Sequence, residues 1–74
     1  MQITVKLFAT FRAGRFDIEK RDYADGTTVH DIVKDLVLPE SQLGILMINH
    51  THVALDRVLV DGETVAIFPL VGGG

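Results

Sequence analysis

The chain has 74 residues, 47% of them apolar and 23% charged, with Asp+Glu 10 against Lys+Arg 7 for a formal charge of −3. That length and composition describe one small folded domain and exclude a disordered chain. The mild acidity excludes the basic footprint of a nucleic-acid binder, the lack of cysteine excludes disulfides, thiolate metal sites and a nucleophilic thiol, and no apolar run approaches the roughly 20 residues of a membrane helix.

Met1 is followed by a strand-like pattern and not by a basic region and apolar run, so no signal peptide is expected and the expected location is cytoplasmic. Ile3, Val5 and Leu7 alternate with Gln2, Thr4 and Lys6, the period of a half-buried strand. Phe8 and Phe11 carry the apolar character past its end, and Ala13-Gly14 supplies a turn. Phe16 and Ile18 alternate with Asp17 and Glu19, which predicts a second strand in a hairpin with the first and continued by Tyr23. Asp25-Gly26 breaks that pattern.

Thr28 reads as a helix N-cap, with Asp31 three residues on in the capping-box position and suited by charge to the helix N-terminus. Val29, Ile32, Val33 and Leu36 follow the i, i+3, i+4, i+7 spacing of one apolar face, while His30, Lys34 and Asp35 fall away from it. Pro39 stops the helix and pushes Leu38 out of helical geometry.

Ile45 to Ile48 is a continuous apolar run and predicts a strand buried on both faces. Asn49, His50 and Thr51 suggest a tight turn into a short strand around Val53 and Ala54, and Asp61-Gly62 is a further turn. Thr64 to Phe68 is a last, strongly apolar strand, ended by Pro69, which cannot donate to a ladder.

A chain this short forms one sheet, and a single helix covers one face of it. The most apolar strand belongs in the middle, so the last is placed beside the first. The expected class is α+β, a β-grasp: a mixed sheet of about four to five strands packed on one main helix. Residues 1–71 form the domain body and residues 72–74 a glycine tail.

Gly72, Gly73 and Gly74 follow directly on Pro69, Leu70 and Val71. Glycine has no Cβ, so such a tail enters a channel too narrow for any side chain. Six residues from Pro69 to Gly74 extend roughly 20 Å, enough to deliver a terminal carboxylate into another protein's active site. An α-carboxyl with a pKa near about 3.5 is an anion at neutral pH and a poor acyl donor. Attack on the α-phosphate of ATP turns it into an acyl adenylate, which a sulfur or nitrogen nucleophile captures. Frayed ends and cloning remnants also end in glycine.

Other constellations are weak. His50 and His52 stand two apart on a turn without the four ligands of a structural zinc site, and no metal is expected. Asp56, Asp61 and Glu63 serve turn formation and solubility, or meet a basic patch on a partner. No glycine-rich loop with a lysine opens a helix, so the chain is expected to bind no cofactor, and ATP belongs to a partner.

Three stretches, Leu7-Phe8-Ala9-Thr10-Phe11-Arg12, Gly26-Thr27-Thr28-Val29 and the segment from Val60 through Phe68-Pro69-Leu70-Val71 to Gly72-Gly73-Gly74, together with Asn49, carry a likeness that runs the length of the chain. The sequence resembles the ubiquitin-like sulfur-carrier family that includes the small subunit of molybdopterin synthase and the thiamin-pathway sulfur carrier. The resemblance implies that an ATP-using, ubiquitin-activating-like (E1-like) partner adenylates Gly74, with Gly73 the required neighbour. Sulfur transfer then yields a thiocarboxylate, and the sulfur passes to an acceptor such as the large subunit of molybdopterin synthase. Phe8, Arg12, Phe68 and Gly72 are implied as partner-binding residues; core packing for the two Phe and a solvated charge for Arg12 are the plainer alternatives. Leu70 stands where molybdopterin-type members often carry a second proline, and the third glycine is closer to thiamin-type carriers. Leu7-Phe8-Ala9 and Phe68-Pro69 favour the molybdopterin side.

The expected function is therefore a sulfur carrier for cofactor biosynthesis, most of all molybdopterin, that is no enzyme by itself but serves as substrate of an adenylating enzyme and as small subunit of a sulfurtransferase complex. A thiamin-type carrier, a ubiquitin-like modifier joined to lysine amines, and a plain interaction module are the alternatives. Neither nucleic acid nor membrane is an expected partner.

Overall fold

The computed structural model describes residues 1–70; the expected boundary after Val71, and Gly72, Gly73 and Gly74 with it, lie outside the described residues. Strand β1 (Gln2–Leu7) buries Ile3, Val5 and Leu7, as its alternation requires. A 3-10 turn over Ala9–Arg12 follows and turns Phe11 into the core. Strand β2 (Ile18–Asp22) runs back antiparallel, with Val5 opposite Glu19 and Lys6 opposite Ile18.

That register corrects one expectation. Ile18 shares the outer face with Lys6 and is 60% exposed, while Phe16, just before the strand, packs on the core. The inner face of β2 is closed by polar groups instead. Arg21 bonds Glu19 at 2.8 Å and Asp35 at 3.3 Å and lies over the Phe16 ring at 5.7 Å, and the Tyr23 hydroxyl donates to Asp35. Burial pushes the Tyr23 phenol above its ordinary pKa.

Helix α1 (Val29–Asp35) starts at Thr28 with a complete capping box: the Asp31 N–H donates to the Thr28 hydroxyl, and the Thr28 N–H donates to the Asp31 carboxylate at 2.9 Å. Those bonds hold the Asp31 carboxyl below its usual range. Val29, Ile32 and Val33 are fully buried against the sheet. The helix ends before the proline does any work. Val37 adopts φ 54, its N–H donates to the Lys34 carbonyl at 3.1 Å, and the Leu38 N–H returns to the Val33 carbonyl at 3.0 Å. This is the Schellman arrangement, here with a β-branched residue where glycine is usual. The Arg15 guanidinium donates to the Leu36 and Val37 carbonyls and covers the helix end.

Strand β3 (Leu43–Ile48) leads through a turn with Asn49 and His50 at φ 49 and φ 68 into β4 (Thr51–His52). Two consecutive left-handed residues form the hairpin turn that matches strand twist. Strand β4 thus comes two residues earlier than the expected strand at Val53 and Ala54, because a two-residue turn leaves Thr51 already paired with Ile48. Strand β5 (Thr64–Pro69) lies between β1, to which it is parallel, and β3, to which it is antiparallel. Among the described residues the sheet order is β2-β1-β5-β3-β4, with α1 on its inner face: a β-grasp with the last strand central, as expected from its composition.

The loop before β5 is held by Glu63. Its carboxylate receives both Arg57 nitrogens at 2.9 and 2.7 Å and the Val60 N–H at 2.7 Å. The Arg57 bonds keep the Glu63 carboxyl below its usual pKa. Asp61 accepts the Gln2 N–H at 2.7 Å, so it ties this loop to β1.

Candidate functional site

One helix covers one face of the sheet, so the other face is open wherever its residues are apolar. Pairing puts Lys6 of β1, Ala66 of β5 and Met47 of β3 side by side on that outer face. The apolar run of β3 is therefore not buried on both faces. Ile48 is buried, while Met47 is half-buried and Ile45 is exposed. Nothing in the chain supplies a second layer for these residues among the described elements.

The parallel register of Leu7 with Ile67 places the next residues, Phe8 and Phe68, as neighbours at the same end of the sheet. Their rings stack with centroids 4.0 Å apart and planes 12° from parallel. Phe8 is still extended (φ −129, ψ 153), and Ala9 at φ 51 then turns the chain into the 3-10 segment. That turn carries Arg12 back to the column. Its Nε donates to the Leu7 carbonyl at 2.8 Å, its guanidinium carbon lies 5.3 Å from the Phe8 ring centroid, and Asp17 is 3.5 Å away. Cation, ring and ring form one partly exposed column. Phe8, Arg12 and Phe68, far apart in sequence, are thus brought together.

Two shallow hollows flank the column and share Phe8 and Phe68 as a common wall. One, of about 370 Å³, is completed by Lys6, Met47, Asn49 and His50 among others. The second, of about 450 Å³, runs past Gln42 and Ile45 to Pro69 and Leu70, where β5 ends. The Leu70 N–H donates to the Gln42 carbonyl at 2.8 Å. The site residues Gly72, Gly73 and Gly74 lie outside the described residues; Leu70, the last described residue, borders this hollow.

Sequence reasoning missed Gln42, Ile45, Met47 and Leu70 as parts of the face. A signal was present: an apolar run next to a lone helix cannot all be covered. His52 lies on the outer face opposite Met47, while His50 borders the first hollow. Among the described residues no cluster of three or more His, Asp and Glu side chains is arranged to hold a metal ion. No helix among them is long and apolar enough to cross a membrane. Chemically the face offers recognition: flat aromatic area, a fixed guanidinium and a nearby chain exit.

The family model described as the ThiS family matches residues 5–74. No curated protein matches the chain. Among solved structures, the chain is 27% identical to SAMP1 from Haloferax volcanii, with a TM-score of 0.77 and 100% of each chain covered. It is 28% identical to a Pyrococcus furiosus protein assigned as molybdopterin converting factor subunit 1, with a TM-score of 0.75 over 96% of this chain and 99% of that one. At 18% identity, a TM-score of 0.67 and 100% of each chain covered, a chain from the complex of subunits 1 and 2 of the Helicobacter pylori molybdopterin-converting factor shares the fold.

Proposed function

The chain belongs to the ThiS family, and we propose that it works as a sulfur carrier whose Gly74 carboxylate is adenylated by an E1-like enzyme and converted to a thiocarboxylate. Proteins of this kind are small carrier-type subunits and not enzymes in their own right. The carboxylate attacks the α-phosphate of ATP on the partner and releases pyrophosphate; hydrosulfide from the sulfur donor then attacks the acyl carbon and displaces AMP, which leaves the thiocarboxylate. Gly72 and Gly73 thread the partner's channel. ATP is held by the partner, and the body docks through Phe8, Arg12 and Phe68. The observation that carries this reading is the aromatic column standing beside the exit of a chain that ends Gly72-Gly73-Gly74.

The acceptor we favour is the large subunit of molybdopterin synthase, in the cytoplasm. The likeness to a protein assigned as subunit 1 of molybdopterin converting factor supports this, as does the Phe68-Pro69 pair. A second reading is a ubiquitin-like modifier, supported by the comparable likeness to a small archaeal modifier protein, 26% identical.

Intact mass decides between them. Incubation with ATP, a sulfur donor and a cognate E1-like enzyme should exchange one oxygen for sulfur, and removal of Gly74 or Gly73→Val should abolish the exchange. Isopeptide adducts on lysine, without a thiocarboxylate, would instead establish the modifier.

A further inference from the structure

A carrier must release its tail in a direction that a partner can use. Beside the aromatic column, at the far wall of the second hollow, the start of β3 meets the end of β5. An ideal Cβ on Gly44 would stand 2.5 Å from the Pro69 carbonyl oxygen, 2.7 Å from its carbonyl carbon and 2.9 Å from the Leu70 nitrogen. All three atoms are backbone, so none can swing aside. The nearest approach falls short of the 3.4 Å of ordinary contact by about 0.9 Å. Gly14, Gly26 and Gly62 differ in kind: each takes a positive φ in a turn, and a Cβ there meets nothing within 4 Å. Gly44 alone among these is required by close approach of another backbone.

The approach is locked on its other side. Leu43 pairs with Pro69, the ladder is irregular between Leu43 and Leu46, and the Leu70 N–H donates to the Gln42 carbonyl at 2.8 Å. A bulge next to a functional element re-aims the chain it pairs with. Here it lets β5 stay on the sheet through Leu70.

We propose that Gly44 is a positioning residue for the C-terminal segment: its missing side chain lets Pro69 and Leu70 lie against the β3 backbone, and this contact fixes the direction in which the chain leaves the body toward a partner's active site. The inference rests on the carrier reading. It concerns delivery of the carboxylate, whereas the column concerns docking of the body.

The test is Gly44→Ala, read in two ways. Amide exchange should show the Leu70 N–H released while the Val65 and Ile67 amides stay protected. Adenylation kinetics should show kcat lowered by about 10- to 100-fold, the scale of a 1 Å misplacement, with KM for the carrier within about twofold, because docking is unchanged. A Leu70 amide as protected as the wild type's, or a normal kcat despite its release, would overturn the proposal. If G44A does not fold, a Gly-Gly insertion between Leu70 and Val71 uncouples the departure point without touching the body. It should lower kcat on the same scale, and an unchanged kcat would again refute the idea. A wild-type protein that no E1-like enzyme adenylates removes the carrier reading and the positioning role together. Exchange at Leu70 would still report separately on the geometry.

Discussion

Replacing Val37 with glycine should stabilise this protein, the reverse of what most substitutions do. Val37 sits at the end of α1 with φ 54, a region that costs an L-residue with a β-carbon about 1–2 kcal/mol. Its side chain is 78% exposed, so little burial is lost with it. The N–H to the Lys34 carbonyl and the Arg15 bond to the Val37 carbonyl are backbone contacts that glycine keeps. Against the relief stands the greater unfolded freedom of glycine, about 0.5–1 kcal/mol. The net gain is about 0.5–1 kcal/mol, which in a domain of this size raises Tm by roughly 2–8 °C. Asparagine, which tolerates the left-handed region, should fall between the two. Thermal unfolding followed by circular dichroism, with a urea titration to check that m is unchanged, measures it. A Tm at or below the wild type's would refute the argument, because it would mean that the left-handed geometry carries no penalty here. Val37 borders neither hollow, so adenylation should not change.

The remaining expectations concern the caps, the clamp and the column. Thr28→Ala removes one half of the capping box and should cost about 1 kcal/mol in denaturant unfolding. Glu63→Gln breaks a bidentate pair in which the Glu63 side chain is 11% exposed but its Arg57 partner 36% exposed, and should cost about 1 kcal/mol at neutral pH. Because the folded pKa of Glu63 lies below the ordinary 4.5, its contribution is complete above about pH 4.5 and is lost as pH falls toward the folded value. The stability gap between wild type and variant should accordingly narrow on acidification, and a constant gap would show that the charge is not responsible. Arg12→Ala should raise the KM for adenylation about tenfold, roughly 1.4 kcal/mol of docking, with kcat preserved. An effect on kcat alone would remove Arg12 from the docking face.

The elements themselves were legible in the sequence because each has a local cause. Period-two alternation gave β1, and the Thr28–Asp31 box with the apolar face of Val29, Ile32 and Val33 gave α1. The apolar density of Val65 to Phe68 placed β5 in the middle of the sheet. The glycine tail and the likeness of the flanking segments pointed to the carrier chemistry. Three matters needed the tertiary structure. The face to which Ile18 points follows from its register with Lys6, and local alternation carries no information on register. The open side of β3 depends on how much sheet a seven-residue helix can cover. Phe8, Arg12 and Phe68 meet because β1 and β5 are parallel neighbours although they lie at opposite ends of the chain, and the backbone pressed on Gly44 comes from the antiparallel pairing of β3 with the end of β5. Pairing between distant segments is set by the packing of the whole sheet on one helix, and no window of sequence contains it.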